Sequence, residues 1–259
     1  MKKYLIILLN QIKIQMSYKF NFLTGLVSQI ISLSISVFTW NAIYLSSEMS
    51  LIGTYSRSQM ILYIILTHLI SMMFSTDFVI RLGGLVKSGK LTTMLLRPHN
   101  ILGESLSVFT GQRFIYIILY GFFILFIGVL GFSPTYIMLV ITFTIVNYLM
   151  YFMLISAIST LGFWLIQMWP IRPLLNSLFL LTGGLYFPLD LLPYPLYTIL
   201  EKTPFGLVAF NHSKALQGIL NVEELFKYII ISLFWLVLFL LFYSFLFSKG
   251  LKKYEGMGA

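Results

Sequence analysis

A stretch rich in glycine and lysine, "GGLVKSGKLTT" at residues 83 to 93, has nearly the spacing of a phosphate-binding loop. Gly84, Gly89 and Lys90 stand where such a loop needs tight turns and a cation for the phosphates. The next position needs a hydroxyl group to hold Mg²⁺, and Leu91 occupies it. The stretch also follows an apolar run of membrane-spanning length instead of a buried strand. We therefore expect no nucleotide site here.

Few other residues suit catalysis. The chain contains no cysteine, no HExxH zinc motif and no pair of carboxylates inside an apolar segment. His68 is the only ionisable residue within a predicted span, where it could relay protons or hydrogen-bond to a neighbouring helix. Asp77 and Arg81 lie four residues apart and should form an ion pair along a helix. We predict no catalytic residue, metal site or cofactor on this chain, with an intramembrane enzyme based on His68 and Asp77 as the alternative.

The composition decides the class of protein. Hydrophobic residues make up 59% of the 259 residues, charged residues make up 10%, and the mean hydropathy is +0.92. A soluble domain of this composition would expose too much apolar surface to water. The predicted fold class is therefore an all-α integral membrane protein.

Segments without charge locate the membrane spans. The longest, Phe114 to Ile171, has 58 residues and is too long for one span of about 20 residues. The sequence "GFSP" at 131 to 134 divides it, because glycine ends a helix and proline suits the first turn of the next. Six helical spans result, near residues 20 to 45, 57 to 77, 110 to 131, 135 to 159, 172 to 187 and 226 to 247.

The positions of lysine and arginine predict the topology. With both termini in the cytoplasm, 13 of the 17 lysines and arginines lie in inner segments. This bias is typical of the cytoplasmic side of a membrane protein, where basic loops face anionic lipid. The net charge of +9 therefore indicates a membrane surface and not nucleic acid, and we expect a multi-pass protein of the cell membrane.

The N-terminal segment, residues 1 to 19, has the pattern of a helix that lies in the membrane interface. No small-residue cleavage site follows its short apolar run, so we expect no removal as a signal peptide. A solvated first turn of the first span is the alternative. One stripe is polar and the opposite one apolar, with Lys3, Asn10, Lys13 and Ser17 against Leu5, Leu8, Ile12, Met16 and Phe20.

Residues 188 to 222 differ from a simple loop. Their two apolar pieces, Pro195 to Leu200 and Phe205 to Leu220, are each too short to cross about 30 Å of hydrocarbon. We expect both pieces to enter the membrane from the outer side and return, packed on protein or lining a wet cavity. The residues that should shape this re-entrant hairpin are Pro188, Asp190, Pro193, Pro195 and Pro204.

The cytoplasmic loop of residues 78 to 105 is the largest and most basic. Its apolar residues are too many for a solvated linker and too few for a span. Such a segment must bury its apolar face on the lipid surface or in a groove of another protein. The residue pattern alone leaves both partners open.

Two motifs resemble one known family. "VKSGKLTTMLLRPHN", residues 86 to 100, resembles the cytoplasmic signature of permease subunits in the type-2 family of ABC exporters. "GGLYFPLDLLPYPLYTILEKTPF", residues 183 to 205, resembles the same family's outer hairpin before the last span. Together with the six spans, the resemblance covers residues 1 to 259 as a single permease domain. It implies an N-terminal interfacial helix, a cytoplasmic coupling helix between spans two and three, and a re-entrant hairpin before span six.

The resemblance also implies partners. Members of the family pair as homodimers or heterodimers and bind two separate ATPase subunits, which would carry the ATP and Mg²⁺. The coupling helix would transmit closure of the ATPase dimer, with its basic residues on acidic or polar groups there, and a proline would end it. The residues assigned to ATPase coupling are Val86, Lys87, Gly89, Lys90, Leu91, Met94, Leu95, Leu96, Arg97 and Pro98.

A cargo path is implied at the interface of two permeases, beside the first, second and fifth spans. The candidate residues are Gln29, Asn41, His68, Asn176 and Thr182. Each could instead form a hydrogen bond between helices. Spans without charge at depth favour an amphiphilic cargo, whether lipid, drug or small peptide. The aromatic residues form no stripe of the kind a polysaccharide channel needs, but a polysaccharide-exporting permease and a scaffold that binds anionic lipid stay as alternatives.

Overall fold

The structure is a computed structural model that describes residues 2–47, 50–97, 100–129, 131–165 and 167–254. The predicted helix end at Pro98 lies outside these residues. Within them the chain is almost entirely helical, with one short hairpin in which β1 (Leu51–Ile52) pairs with β2 (Tyr55–Ser56). The predicted all-α class is confirmed.

The described helices are of two lengths. The long ones are α1 (Lys2–Ser17), α2 (Lys19–Ser47), α6 (Ile101–Val129), α7 (Pro134–Ser159) and α12 (Val222–Lys253). The short ones are α3 (Arg57–Ser71), α4 (Arg81–Lys87), α5 (Lys90–Leu95), α8 (Ile171–Thr182), α9 (Tyr194–Leu200), α10 (Pro204–Gly206) and α11 (His212–Leu216). Three 3₁₀ helices (Asp77–Ile80, Thr160–Phe163 and Leu189–Leu191) and a π-helical stretch (Leu207–Asn211) lie between them.

Four of the described helices are long and apolar enough to cross a membrane, so this is a multi-pass membrane protein. These segments are Phe22–Ser47, Ile101–Ile124, Pro134–Phe163 and Val222–Lys253. The second and fifth predicted spans contain the shorter helices α3 and α8, of 15 and 12 residues.

Helix α3 ends earlier than predicted, at Ser71 instead of residue 77. The chain leaves the helix to bury Met73 and Phe74 in the core. It then starts a 3₁₀ helix at Asp77, whose backbone N–H donates to Ser75 Oγ at 3.1 Å. Packing of two large apolar side chains therefore outweighs the continuation of the helix.

Capping residues fix where two long helices begin. Ser133 Oγ accepts a hydrogen bond from Tyr136 N at 3.2 Å, and Pro134 is the first residue of α7, so the predicted boundary at "GFSP" is confirmed. In α12, Asn221 Oδ1 accepts from Glu224 N at 2.8 Å, while Asn221 N donates to Glu224 Oε2 at 2.9 Å. Each such cap stabilises a helix by about 1 kcal/mol.

The core surrounds α7, which packs along α12 and buries side chains on every face. Phe143, Tyr151 and Ile155 are fully buried there, and Leu225 and Ile229 of α12 belong to the same cluster. A helix that is apolar all round needs protein or lipid on every side. Central α7 therefore sets the positions of α3, α6, α12 and the outer segment.

Helix α2 lies at the periphery. Among its described side chains only Tyr44 is buried. Apolar side chains that include Val27, Ile30 and Phe38 are more than half exposed. This surface requires lipid or a second protein as cover, since exposure of apolar side chains to water is unfavourable.

Helix α1 packs along α6. A Cβ atom on Gly103 would come within 2.8 Å of Tyr4, and one on Gly111 within 2.7 Å of Gln11, so these glycines permit the close approach. Contact with α6 therefore uses Tyr4 and Gln11, whereas Leu5 of the predicted apolar stripe is 58% exposed. Leu8 and Ile12 of the predicted apolar stripe are half-buried, and Leu5 and Met16 are exposed, so only part of the stripe is available for contact with lipid.

Candidate functional site

A cavity of about 780 Å³ lies between α2, α3, α6 and α8, and we call it the α2–α8 groove. Helix α2 contributes Gly25, Ser28, Gln29 and Ser32, and α6 contributes Arg113 and Tyr116. The segment from α3 to the following 3₁₀ helix contributes His68, Ser71, Met72, Phe74, Ser75, Thr76, Asp77 and Ile80. The residues in and around α8 are Trp169, Arg172, Pro173, Asn176, Phe179, Leu180, Leu185 and Tyr186. Three residues predicted for the cargo path, Gln29, His68 and Asn176, are brought together here.

The other two predicted cargo-path residues lie outside the groove. Asn41 Oδ1 accepts a hydrogen bond from Arg57 Nε at 2.8 Å. Thr182 Oγ1 donates to Leu178 O, one turn back in its own helix, at 2.7 Å. Both side chains therefore stabilise local structure.

His68 makes a local hydrogen bond as well as lining the groove. Its Nδ1–H donates to Ile64 O, one turn earlier in α3, at 2.9 Å. The ring is 6% exposed. The structure therefore shows a hydrogen bond within α3 in place of the predicted one to a neighbouring helix. Other contacts of the His68 side chain would use the ring edge that carries Nε2.

The wall of the groove from α2 could be recognised in the sequence. Gly25, Ser28, Gln29 and Ser32 recur at intervals of three and four residues, which places them on one face of a helix. Ser28 and Ser32 did not stand out because single serines are common in membrane helices, and only their shared face marks them. Hydroxyl and amide groups on this face lie opposite apolar side chains such as Phe179, so the groove suits a molecule with polar and apolar parts.

An ion cluster lines the groove where the 3₁₀ helix Asp77–Ile80 begins. Asp77 Oδ1 lies 2.5 Å from Arg172 Nε, and Asp77 Oδ2 lies 3.1 Å from Arg113 Nη2. The predicted pair of Asp77 with Arg81 is wrong, because Asp77 begins a 3₁₀ helix and Arg81 begins α4, so the two do not share one α-helical face. Arg81 instead lies 3.8 Å from Glu104 Oε1, and burial lowers the pKa of Arg81.

The predicted coupling helix from Val86 to Arg97 is not one continuous helix, because the structure divides this segment between α4 and α5. Gly89 separates them with φ of 69°, a left-handed conformation that favours glycine. The glycine that gave the sequence its resemblance to a phosphate-binding loop is therefore a turn residue between two short helices.

Helix α5 has a buried face and an exposed face. Leu91 and Met94 are buried, and Leu91 packs with Leu82 and Phe163. The position that lacks the hydroxyl of a phosphate-binding loop thus anchors the segment to the protein. On the other face Leu96 is 81% exposed.

The exposed residues include five of the ten predicted for ATPase coupling: Lys87, Lys90, Leu95, Leu96 and Arg97. Val86 and Gly89 are half-buried. Together these exposed side chains form a surface that is basic and apolar, which we call the α5 surface. Such a surface fits a protein groove that carries acidic and apolar groups.

Comparison with known proteins decides the family. A model of the family described as ABC-2 family transporter protein matches residues 30–258, which is most of the chain. The chain belongs to the ABC-2 transporter family. A search of curated proteins found no significant match. The resemblance of the two motifs is confirmed, and the chain is a membrane-spanning permease subunit of an ABC transporter.

Glycine contacts hold α4 and the end of α12 against the core of the ABC-2 permease. Gly83 of α4 touches Gly162 so closely that a Cβ on Gly162 would collide with the backbone of Gly83. Near the end of α12, a Cβ on Gly250 would collide with the ring of Phe163. These contacts were not found from the sequence, since lone glycines near helix ends have many explanations.

The end of α12 also reaches the coupling segment of the permease. The hydroxyl groups of Tyr254 and Thr92 are 2.9 Å apart, and the Tyr254 ring lies beside Phe163. The last span and α5 are therefore joined directly, although 162 residues separate the two hydroxyl-bearing residues in sequence.

The outer segment of the permease places its prolines at helix starts. Pro188 precedes the 3₁₀ helix Leu189–Leu191, Pro195 lies in the first turn of α9, and Pro204 begins α10. Three of the prolines predicted to shape this segment therefore stand at helix starts.

Asp190 ties this outer segment to the β-hairpin. Tyr55 Oη donates to Asp190 Oδ2 at 2.9 Å, and Lys214 Nζ lies 3.9 Å from the same oxygen. Burial raises the pKa of Asp190, and the hydrogen bond from Tyr55 and the charge of Lys214 oppose that rise. Burial and the nearby carboxylate raise the pKa of Tyr55. The cluster therefore fastens the outer segment across 135 residues of sequence.

Proposed function

We propose that this ABC-2 permease exports an amphiphilic cargo through the α2–α8 groove, driven by two ATPase subunits that bind ATP and Mg²⁺ at the α5 surface. The observation that carries the proposal is the groove itself, in which polar groups of α2 and α8 face apolar side chains. A cargo with a polar head and an apolar body finds partners for both parts in such a groove.

Six spans in the cell membrane, with both termini in the cytoplasm, form part of the proposal. Helices α3 and α8 rise only about 22 Å and 18 Å, less than a full hydrocarbon thickness of about 30 Å. The non-helical residues after α3 complete the second crossing, since Met73 and Phe74 are buried and Ser75 and Thr76 line the groove. Non-helical backbone is tolerated at membrane depth in such surroundings.

A second permease, identical or homologous, would cover the exposed face of α2. This helix and α8 border the groove, and both expose leucine and isoleucine side chains, among them Ile30 and Leu178. Lipid could cover the same surface, but a second copy would also close the open side of the groove. The path would then lie between two permeases.

Binding of the ATPase subunits would use the α5 surface. Leu95 and Leu96 would enter an apolar pocket of the ATPase, and Lys87, Lys90 and Arg97 would meet acidic groups around it. Because Leu91 and Met94 fix α5 to the core, a push on α5 would move the inner ends of α7 and α12. Coupling by this route needs no nucleotide on the permease.

The N-terminal helix and the outer hairpin complete the proposed arrangement. Helix α1 would lie in the inner interface with Leu5 and Leu9 towards lipid. The outer segment would re-enter the membrane as α10, the π-helical stretch and α11, whose residues Leu207 to Phe210 are fully buried against the protein.

The experiment that tests the function is purification of the C-terminally tagged permease from its own membranes in a mild detergent. Mass spectrometry should identify a soluble ATPase with an intact phosphate-binding loop at stoichiometric ratio. A second, different permease in the complex would show a heterodimer, and its absence a homodimer. Failure to recover an ATPase in several mild detergents would contradict the proposal.

A further inference from the structure

A second cavity adjoins the α2–α8 groove. It has a volume of about 300 Å³ and lies between α1, α2 and α6, with Gln15, Phe22 and Gln112 among its lining residues. Four residues line both cavities: Gly25, Asp77, Arg113 and Tyr116. The cavities therefore meet at Arg113, and the smaller one is bordered by α1, which exposes Leu5 and Met16.

The charges at this junction do not balance. Among the described residues that line the two cavities, the charged ones are Asp77, Arg113 and Arg172. The two guanidinium groups share one carboxylate, so one positive charge is left over. Each guanidinium group also has more N–H donors than the one paired with Asp77, so the junction favours a ligand that brings acceptors and a negative charge.

The surroundings of Arg113 suit a ligand with an apolar chain. The Arg113 guanidinium lies over the Tyr116 ring at 5.7 Å, and the rings of Phe22 and Tyr116 are 6.0 Å apart. Gly25 faces this position without a side chain, and a Cβ there would have only the Tyr116 hydroxyl within 4 Å, at 3.9 Å. The aromatic wall and the space beside Gly25 leave room for an acyl chain next to the guanidinium group.

We propose that Arg113 and Arg172 bind the phosphate or carboxylate headgroup of an anionic amphiphile, which reaches the groove through the adjoining cavity from the inner leaflet. Asp77 is a positioning residue, because its two oxygens hold the two guanidinium groups towards one point. Planar guanidinium groups match phosphate and carboxylate oxygens in pairs. This inference rests on the proposed function and names the cargo class for it.

A cationic amphiphile would not fit the same junction. The carboxylate of Asp77 is already paired with two arginines, and a third cation would meet the surplus positive charge. A zwitterionic headgroup would gain the contact with arginine but would bring a second cation close to it. Selectivity for the anionic headgroup is therefore the measurable consequence.

The absence of cysteine from the sequence provides a direct test. Ser28 is exposed and lines the groove, so Ser28→Cys introduces a single thiol whose labelling by a maleimide reports occupancy. The purified permease with its ATPase in dodecyl maltoside is treated with dodecyl phosphate, dodecylphosphocholine or inorganic phosphate before labelling. Asn176→Cys, on the opposite wall, serves as a second reporter if Ser28→Cys does not yield folded protein.

Dodecyl phosphate should protect the thiol at a concentration about tenfold lower than dodecylphosphocholine, because both offer a phosphate to the arginines but only the choline group brings a cation close to the surplus positive charge. Arg172→Gln should remove most of this difference. Lys202→Gln, which removes one exposed positive charge on the outer side, is the matched control and should leave the difference unchanged. Arg172 is half-exposed, so its replacement should not prevent folding.

Each contrary result has a distinct meaning. Equal protection by dodecyl phosphate and dodecylphosphocholine, or no effect of Arg172→Gln, would overturn the headgroup site. Protection by inorganic phosphate at the concentration of dodecyl phosphate would show a soluble anion as ligand and overturn the amphiphile. If the ATPase copurifies while selectivity is missing, only this inference fails; if no ATPase copurifies, the proposed function fails irrespective of labelling.

Discussion

Gly83 and Gly162 approach each other so closely that neither the start of the coupling segment nor the end of α7 has space for a side chain between them. Gly83 belongs to α4, and Gly162 belongs to the 3₁₀ helix that continues α7. Their contact fixes α4 to the end of the central helix of the core.

Gly162→Ala should weaken this junction. The new methyl group would collide with the backbone of Gly83, which cannot move aside as a flexible side chain would. Overpacking of this kind costs about 1–3 kcal/mol. Thermal unfolding in detergent should show a lower midpoint for Gly162→Ala, with ATPase association reduced in the same sample.

Gly84→Ala is the matched control for this prediction. A Cβ on Gly84 would meet nothing within 4 Å, although the residue adjoins Gly83 in the same helix. Its unfolding midpoint should equal or exceed that of the wild type, since alanine favours helix. Equal midpoints for the two variants would show that the glycine contact does not hold the segment.

Leu96→Asp should abolish ATPase association while the permease stays folded. Leu96 is 81% exposed, so the charge costs little in the isolated subunit, whereas burial of an unpaired carboxylate in an ATPase pocket is costly. Copurification of ATPase should fall at least about tenfold, corresponding to 1.4 kcal/mol of binding free energy. The unfolding midpoint is measured on the same preparation.

Leu51→Asp provides the control, because it also changes an exposed leucine to aspartate but lies in the β-hairpin of β1 and β2. Leu51 is 54% exposed and lies in β1, far in the fold from α5. Its ATPase recovery should match that of the wild type. Undiminished recovery with Leu96→Asp would place the ATPase contact elsewhere.

Asn176→Ala should reduce transport more than Thr182→Val does. Both residues lie on α8 and were predicted for the cargo path, but only Asn176 lines the groove. Loss of one hydrogen bond to cargo corresponds to about a tenfold change in affinity. ATP-dependent uptake of a fluorescent amphiphile into inverted vesicles, measured with equal amounts of assembled complex, distinguishes the two variants. Equal uptake would remove Asn176 from the path.

Asp190→Asn should change how the stability depends on pH. Burial raises the pKa of Asp190 in the folded protein above its ordinary value of 3.8, so protons are held more tightly in the folded state. This contribution to stability is fully present below pH 3.8 and is lost as the pH rises through the folded pKa. Relative to the wild type, Asp190→Asn should therefore gain stability as the pH increases from about 4 to 7.

Unfolding midpoints in detergent across this pH range provide the measurement. Glu223→Gln, which removes an exposed negative charge from the first turn of α12, controls for the change in net charge. A difference between Asp190→Asn and wild type that stays constant with pH would show that the buried carboxylate does not titrate in this range. Tyr55 still has an oxygen acceptor in the asparagine variant, so the hydrogen bond itself is kept.

Local patterns in the sequence predicted the parts of this protein that depend on local chemistry. The length of the apolar segments and the positions of the charges predicted a membrane protein. The motif "GFSP" predicted the start of α7, and the prolines of the outer segment lie at helix starts. Two motifs also pointed to the ABC-2 family, which the family match confirms. These features depend on residues within a few positions of each other.

Contacts between segments that are distant in the sequence were not predictable in the same way. Asp77 pairs with Arg113 and Arg172, which lie in separate helices, in place of Arg81 four residues away. The continuous coupling helix also failed, since Gly89 turns the chain so that Leu91 can reach Leu82 and Phe163. In both cases contacts with distant segments outweighed helix propensity, which is worth less than 1 kcal/mol per residue.

The sequence by itself determined that this chain lies in a membrane, because the apolar content cannot be hidden from water in any soluble fold. It also pointed to the family, which the family match confirms. Only the tertiary structure decided which polar residues meet in the α2–α8 groove and that two arginines share one carboxylate there. The physical reason is that α6 and α8 pack against α7 while α2 packs against α3, and contacts between distant segments leave no periodic signal in any one of them.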